Sequence, residues 1–212
     1  MTRLARTDSR RYTKDALGFY TEPQWCTDAI LTLPVFSGVK NVWDPCAGSG
    51  NVIRAVVASG REAQASDIAR DERPYGADLP PCFQINFFGQ SRLPARVDAI
   101  VSNPPYGESL EALRFIRHAR ALKPLVLAAF VDARFLFSGA RHAFFNDPHT
   151  RPDINVILSD RPSCPPGDAL AAGEVSASGG TQNYVWLIWA AFLRFGHTKT
   201  IWLRRPKAEE AE

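Results

Sequence analysis

Apolar residues in this chain fall in short, largely β-branched runs separated by stretches of helical period, a pattern that predicts an alternating α/β sheet. Residues 39–43, 83–86, 97–101, 125–131, 154–158, 184–190 and 201–203 read as strands. Residues 125–131 are apolar at every position, as expected of a central parallel strand covered on both faces. Between the strands, residues 24–33 put Trp25, Ala29, Ile30 and Leu33 on one helical face, and Pro23 suits the first turn. A second helix starts at Asn51 and stops at Gly60, and Ala112, Phe115, Ile116, Ala119 and Leu122 recur at helical spacing over 109–122. The charged, proline-bearing residues 69–81 predict a surface connection. Residues 159–183, rich in Pro, Gly, Ser and Ala, predict a long mobile loop. It returns to the same edge of the sheet if 184–190 runs antiparallel to 154–158.

Composition narrows the class. The chain has 212 residues, with 45% hydrophobic and 22% charged, which suits one globular domain and excludes disorder throughout. We assign that domain to residues 19–205, with a basic arm over 1–18 and an acidic tail over 206–212. The arm crowds Arg3, Arg6, Arg10, Arg11 and Lys14 together. It reads either as a solvated terminus or as a phosphate-contacting segment. A net charge of +3 is only mildly basic, so any affinity for nucleic acid depends on where the charges lie. Cys26, Cys46, Cys82 and Cys164 show neither Cys-x-x-Cys pairing nor a His cluster, which argues against a metal site and a secreted disulfide framework. With no signal-peptide pattern and no run near the roughly 20 apolar residues that span a bilayer, the expectation is a cytoplasmic protein without a membrane partner.

Candidate chemistry sits at strand ends. The strand 97–101 leads into Ser102-Asn103-Pro104-Pro105-Tyr106. Pro105 removes an amide donor and biases Pro104 towards extended geometry, so the strand stops abruptly with Asn103 at its carboxyl end. Ligands of open α/β sheets bind at that edge. An exocyclic amine on a ring attacks poorly until its hydrogens are drawn out of plane by acceptors. Asn103 Oδ1 and the Pro104 carbonyl supply two such acceptors, and Tyr106 can stack on a flat base. No proton-abstracting side chain is required if the electrophile is a sulfonium methyl.

Upstream, the strand 39–43 runs into Asp44-Pro45-Cys46-Ala47-Gly48-Ser49-Gly50 and then a helix. Strand, glycine turn, helix lets a ligand approach the backbone closely, with Gly48 and Gly50 read as positions where a Cβ would collide. Asp44 is placed to meet a cationic amino acid moiety. Asp67 follows Gly50 by 17 residues, where an acid accepts ribose hydroxyls. Ile53 stands where a dinucleotide fingerprint needs its third glycine, which disfavours NAD.

The two motifs, in this order, resemble those of the S-adenosylmethionine-dependent amino-group methyltransferases, in particular the DNA N6-adenine methyltransferases with their Asn-Pro-Pro-Tyr motif. The resemblance extends over residues 19–203. It implies a Rossmann-like class I methyltransferase fold: a mostly parallel seven-stranded sheet with an antiparallel edge hairpin and helices on both faces. It implies S-adenosylmethionine as cofactor, held by Tyr20, Thr21, Asp44, Pro45, Cys46, Gly48, Gly50, Asp67, Ile68, Asn86 and Phe87. Tyr20 and Thr21 belong to an aromatic-Thr-Pro-like segment that closes over the methionine end, although Glu22 intervenes before Pro23. Asn86 stands where the family bonds the adenine, with Phe87 or Phe88 beside the ring; a structural role for both phenylalanines is the other reading. Asn103, Pro104, Pro105 and Tyr106 form the catalytic set.

Tyr184 matches the aromatic that stacks on an extruded base, with Trp186 the runner-up and a core role open for each. Asp132 and Arg134 read first as capping a helix from Ala133, with substrate contact the alternative. The expected partner is DNA, with RNA possible, and the target base is flipped out of its stack. With no stretch long enough for a separate target-recognition domain, the expected methylation is of low sequence specificity. Adenine methyltransferases of RNA and glutamine methyltransferases of release factors share Asn-Pro-Pro-Tyr and remain alternatives. So does a non-catalytic nucleic-acid-binding module on the same fold.

Overall fold

Eight strands form one sheet in the order β3-β2-β1-β4-β5-β7-β6-β8. They are β1 (Asn41–Asp44), β2 (Glu62–Asp67), β3 (Cys82–Gln84), β4 (Ala99–Ser102), β5 (Val126–Asp132), β6 (Ile154–Leu158), β7 (Tyr184–Ala190) and β8 (Lys199–Leu203). The structure is a computed structural model that describes residues 19–105, 110–174, 180, 182–193 and 196–206. The predicted basic arm, Tyr106 and all but the first residue of the predicted acidic tail lie outside the described residues.

Strands β1 to β5 are mutually parallel. β7 is antiparallel to both β5 and β6, while β8 runs parallel to β6. One expectation is corrected here. The sheet has eight strands among the described residues rather than seven, with β8 lying outside the antiparallel β7–β6 pair expected towards that edge. Both edges of β7 are taken by β5 and β6, so the chain after β7 crosses to the outer edge of β6 as a further strand. Residues 201–203 read alone do not reveal that neighbour.

Strand periodicity divides the core. Val126, Ala128 and Phe130 of β5 pack on one face with Cys26, Ile30, Val52 and Val56, from α1 (Trp25–Leu31) and α2 (Asn51–Ala58). Leu127, Ala129 and Val131 pack on the other with Phe115 and Ile116 of α3 (Glu111–Ala121). The six apolar residues of β5 are all buried, so an unbroken apolar run is satisfied on both sides. Trp186, with no exposed surface, is core as well, and its Nε1 donates to Cys26 O of α1 at 2.9 Å.

β1 has β2 on one flank and β4 on the other, and the helices that follow β1 and β4 cover opposite faces. Chains diverging in this way leave a crevice beyond the strand ends. Short helices α4 (His142–Asn146) and α5 (Gly167–Ala171) complete the fold. α5 lies within the segment expected to be a loop throughout. The start of α5 and the residues before it are tied to residues 19–21: Thr21 N donates to Pro165 O, Gly167 N donates to Phe19 O, each at 3.0 Å, and Tyr20 bridges Pro166.

Candidate active site

The crevice is walled by the 19–22 segment, the turn after β1, the ends of β2 and β4, and the residues following β3. It contains Tyr20, Thr21, Asp44, Pro45, Cys46, Gly48, Asp67, Ile68, Asn86, Phe87, Asn103 and Pro105 of the expected set. Three expected residues stand apart from it. Pro104 is buried without lining the crevice, and Gly50 and Tyr184 do not line it either.

Both glycines are called for by the protein's own packing, and Gly48 lines the crevice as well. Gly48 has φ +51°, and a Cβ there would lie 2.6 Å from the Phe19 ring. Gly50 has φ +87° and starts α2; its Cβ would lie 2.4 Å from Leu79. Left-handed backbone and contact with a neighbour both require glycine at these two positions.

Asp44 is 1% exposed, and its Oδ1 accepts from Ser102 Oγ at 2.7 Å and Cys46 N at 3.0 Å. Burial holds its carboxyl well above the usual carboxylate range in spite of these bonds. Asp67 is 2% exposed and fully engaged. Its Oδ2 accepts from Gly48 N at 2.9 Å, its Oδ1 accepts from Ala69 N at 2.9 Å, and Arg73 Nη1 approaches both oxygens at 3.1 and 3.2 Å. A carboxylate offers roughly four acceptor positions, so hydroxyls reach Asp67 by sharing with or displacing Arg73. The Arg73 guanidinium also lies 4.4 Å from the centre of the Phe19 ring.

Asn86 Oδ1 accepts from Phe88 N and caps the turn over Phe87–Gly89. Phe87 is buried against Trp43 and Phe115 with ring centroids at 5.6 and 4.7 Å, so its ring is a core group that presents one side to the crevice. Tyr184 is buried and stacks on Phe130 at 4.9 Å with 9° between planes. Its ring is committed to the core, which corrects the base-stacking expectation. Asp132 caps the turn after β5 by accepting from Arg134 N, and pairs with that arginine's guanidinium.

Asn103 carries the most informative geometry. Its Nδ2 donates to Tyr20 O at 2.8 Å and to Glu22 Oε2 at 2.5 Å. Two acceptors on this side assign the nitrogen and turn Oδ1 the other way. Oδ1 is buried without a hydrogen-bond partner, as is Thr21 Oγ1 in the same wall. Such orphaned acceptors are costly and rare, and mark where a ligand's donors fit.

Sequence reasoning missed Phe19, Glu22 and Arg73 as wall residues. Glu22 stood as an interruption of a motif, and Arg73 lay in a segment read as surface; no periodicity marks either. Glu22 is 5% exposed, and burial pushes its carboxyl up to about 7, its bond from Asn103 opposing the shift.

No family model matches the chain, and no curated protein matches it in sequence. In structure it is similar to the methyltransferase subunit of a type I restriction-modification system from Streptococcus thermophilus. The TM-score is 0.60 at 13% identity, covering 90% of this chain and 48% of that one. A modification subunit of a putative type I restriction enzyme from Vibrio vulnificus gives 0.50 at 14% identity, covering 98% and 49%. The fold is that of the class I methyltransferases. The chain spans about half the length of these two subunits. A third match is to the protein of a DrdV–DNA complex, with TM-score 0.53 at 14% identity, covering 91% of this chain and 28% of that one. At these identities the likeness is one of fold. Within the methyltransferase fold, the crevice described above lies at the carboxyl ends of β1, β2 and β4, where ligands of open α/β sheets bind.

Proposed function

We propose that this chain transfers a methyl group from S-adenosylmethionine to an exocyclic amine, with adenine N6 in DNA as the target. The observation that carries the reading is the pinned amide of Asn103, whose Oδ1 is buried, unpartnered and on the crevice wall. A hydrogen of the amine donates to that oxygen, which draws the nitrogen lone pair out of conjugation with the ring. The fold and the DNA-bound state of one structural neighbour support the same direction.

The crevice residues fit the cofactor. Asp44 and Asp67 share the wall with one cation among the described wall residues, Arg73, which is paired with Asp67, so a positively charged ligand would draw the buried Asp44 carboxyl towards its charged form. Thr21 Oγ1 offers a hydrogen-bonding group to the same ligand. Bound S-adenosylmethionine supplies an electrophilic methyl group to the amine nitrogen. Asp44 in the crevice wall would favour its positive charge, Gly48 N and Ala69 N keep Asp67 in place at the end of β2, and Asn103 would orient the incoming amine. The proton leaves the methylated nitrogen after transfer.

The test is incubation of the chain with methyl-labelled cofactor and a panel of duplex DNA, single-stranded DNA, RNA and protein. Label recovered as N6-methyladenine from DNA is the expected result. Label confined to RNA or protein moves the substrate, and absence of label in every substrate overturns the reading.

A further inference from the structure

Glu22 stands in the crevice wall beside Asn103, and nothing in the reaction derived above uses it. It is held there from several sides. Asn51 Nδ2 at the start of α2 donates to Glu22 O at 2.7 Å, and Thr21 N next to it is tied to Pro165. With 5% of its surface exposed, the side chain is fixed by packing rather than by solvent. Glu22 acts electrostatically on ionisable groups of three further elements: Asp44 at the end of β1, Cys26 in α1 and Cys164 before α5. None of these is a cation.

We propose that Glu22 is a positioning residue for amine methylation, its carboxylate holding and polarising the Asn103 amide so that Oδ1 faces the incoming amine as a strengthened acceptor. This rests on the methyl-transfer reading of the same site. The physics is that of a charge-assisted hydrogen bond. An N–H that donates to a carboxylate at 2.5 Å gives up electron density along the amide, and the carbonyl oxygen at the other end gains it. The same bond, with that to Tyr20 O, keeps the amide from flipping. A flip would present hydrogens to the amine instead of a lone pair. The burial that raises Glu22 makes this help depend on pH: the carboxylate is present above about 7 and lost below it.

The experiment compares wild type, Glu22→Gln and Glu22→Ala by steady-state kinetics, cofactor calorimetry and the side-chain amide resonances of Asn103 across pH 5.5–8.5. Glutamine keeps an acceptor of the same size, so Glu22→Gln is expected to fold normally. It should lose about three- to tenfold in kcat and lose the rise of kcat through neutral pH. Glu22→Ala should lose about 100-fold in kcat, with cofactor Kd within about threefold of wild type. In wild type the Asn103 amide resonances should move with a midpoint near 7, and in Glu22→Gln they should stay flat. A kcat for Glu22→Ala within about twofold of wild type, or a loss of rate matched by a loss of cofactor affinity, overturns the proposal. Amide resonances that titrate equally in both proteins also overturn it. A wild-type chain that methylates nothing removes the methyl-transfer reading instead, while the amide titration still decides whether Glu22 controls Asn103.

Discussion

Asn103 has two amide hydrogens and commits both to acceptors of the protein, which leaves its oxygen to the ligand. Replacing Asn103 with Ala removes that oxygen without touching the turn after β1. Turnover should fall by about 100-fold or more, because an acceptor used in the transition state is worth roughly 3 kcal/mol. Calorimetry should find cofactor affinity changed by no more than a few-fold; a large loss of affinity with unchanged kcat would assign Asn103 to cofactor binding. Asp67 behaves differently, because its carboxylate already holds two backbone amides and Arg73. Asp67→Asn leaves a guanidinium, 10% exposed at its side chain, without a counter-charge. Breaking a buried pair from one side costs about 3–5 kcal/mol, so urea denaturation should show Asp67→Asn well below wild type even without cofactor. Equal midpoints would mean that Arg73 finds solvent readily and that the pair is loose.

Among the elements, α2 shows what each kind of signal carries. Its start after Gly50 was legible from the glycine turn, but the reason for that glycine was not. Gly50 is left-handed and meets Leu79 and Tyr75, two residues from the segment read as a surface connection. Gly50→Ala should destabilise the chain by about 1–3 kcal/mol through backbone strain and overlap. Thermal unfolding checks this, and an unchanged Tm would show that the turn relaxes freely. Apart from β2, which is largely polar, the parallel strands were readable, as were α3, the antiparallel pairing of β6 with β7 and the capping by Asp132, because apolar period and strand-end chemistry are local signals. The place of β8 and the order within residues 159–183 were not. Both depend on partners far away in sequence: β6 for the one, and Phe19 to Thr21 for the other. For the same reason Tyr184 looked like a ligand residue at a strand end, whereas its stacking on Phe130 depends on β5 lying alongside.

For the molecule as a whole, the crevice concentrates acids that burial keeps from ionising freely. Glu22 rises from 4.5 to about 7, so the folded chain binds a proton there that the unfolded chain releases. Between about pH 4.5 and 7 the folded state holds more protons, so stability falls as pH rises across that window, by about 3 kcal/mol when complete. Asp44, also raised, contributes in the same direction. Urea titrations of the ligand-free chain from pH 5 to 8 should show this decline, and Glu22→Gln should flatten it. Stability that rises over the window would remove the buried acid from the account. The backbone tie between Phe19–Thr21 and Pro165–Gly167 bears on folding order. It joins Thr21 to Pro165, 144 residues further on, so the loop it closes is among the longest in the molecule, and such closures come late and open early. In hydrogen–deuterium exchange the amides of Thr21 and Gly167 should therefore lose protection before those of β5, through partial opening rather than global unfolding. The crevice would then be the last part of the protein to form and the first to let solvent in, with no rearrangement of the sheet beneath it.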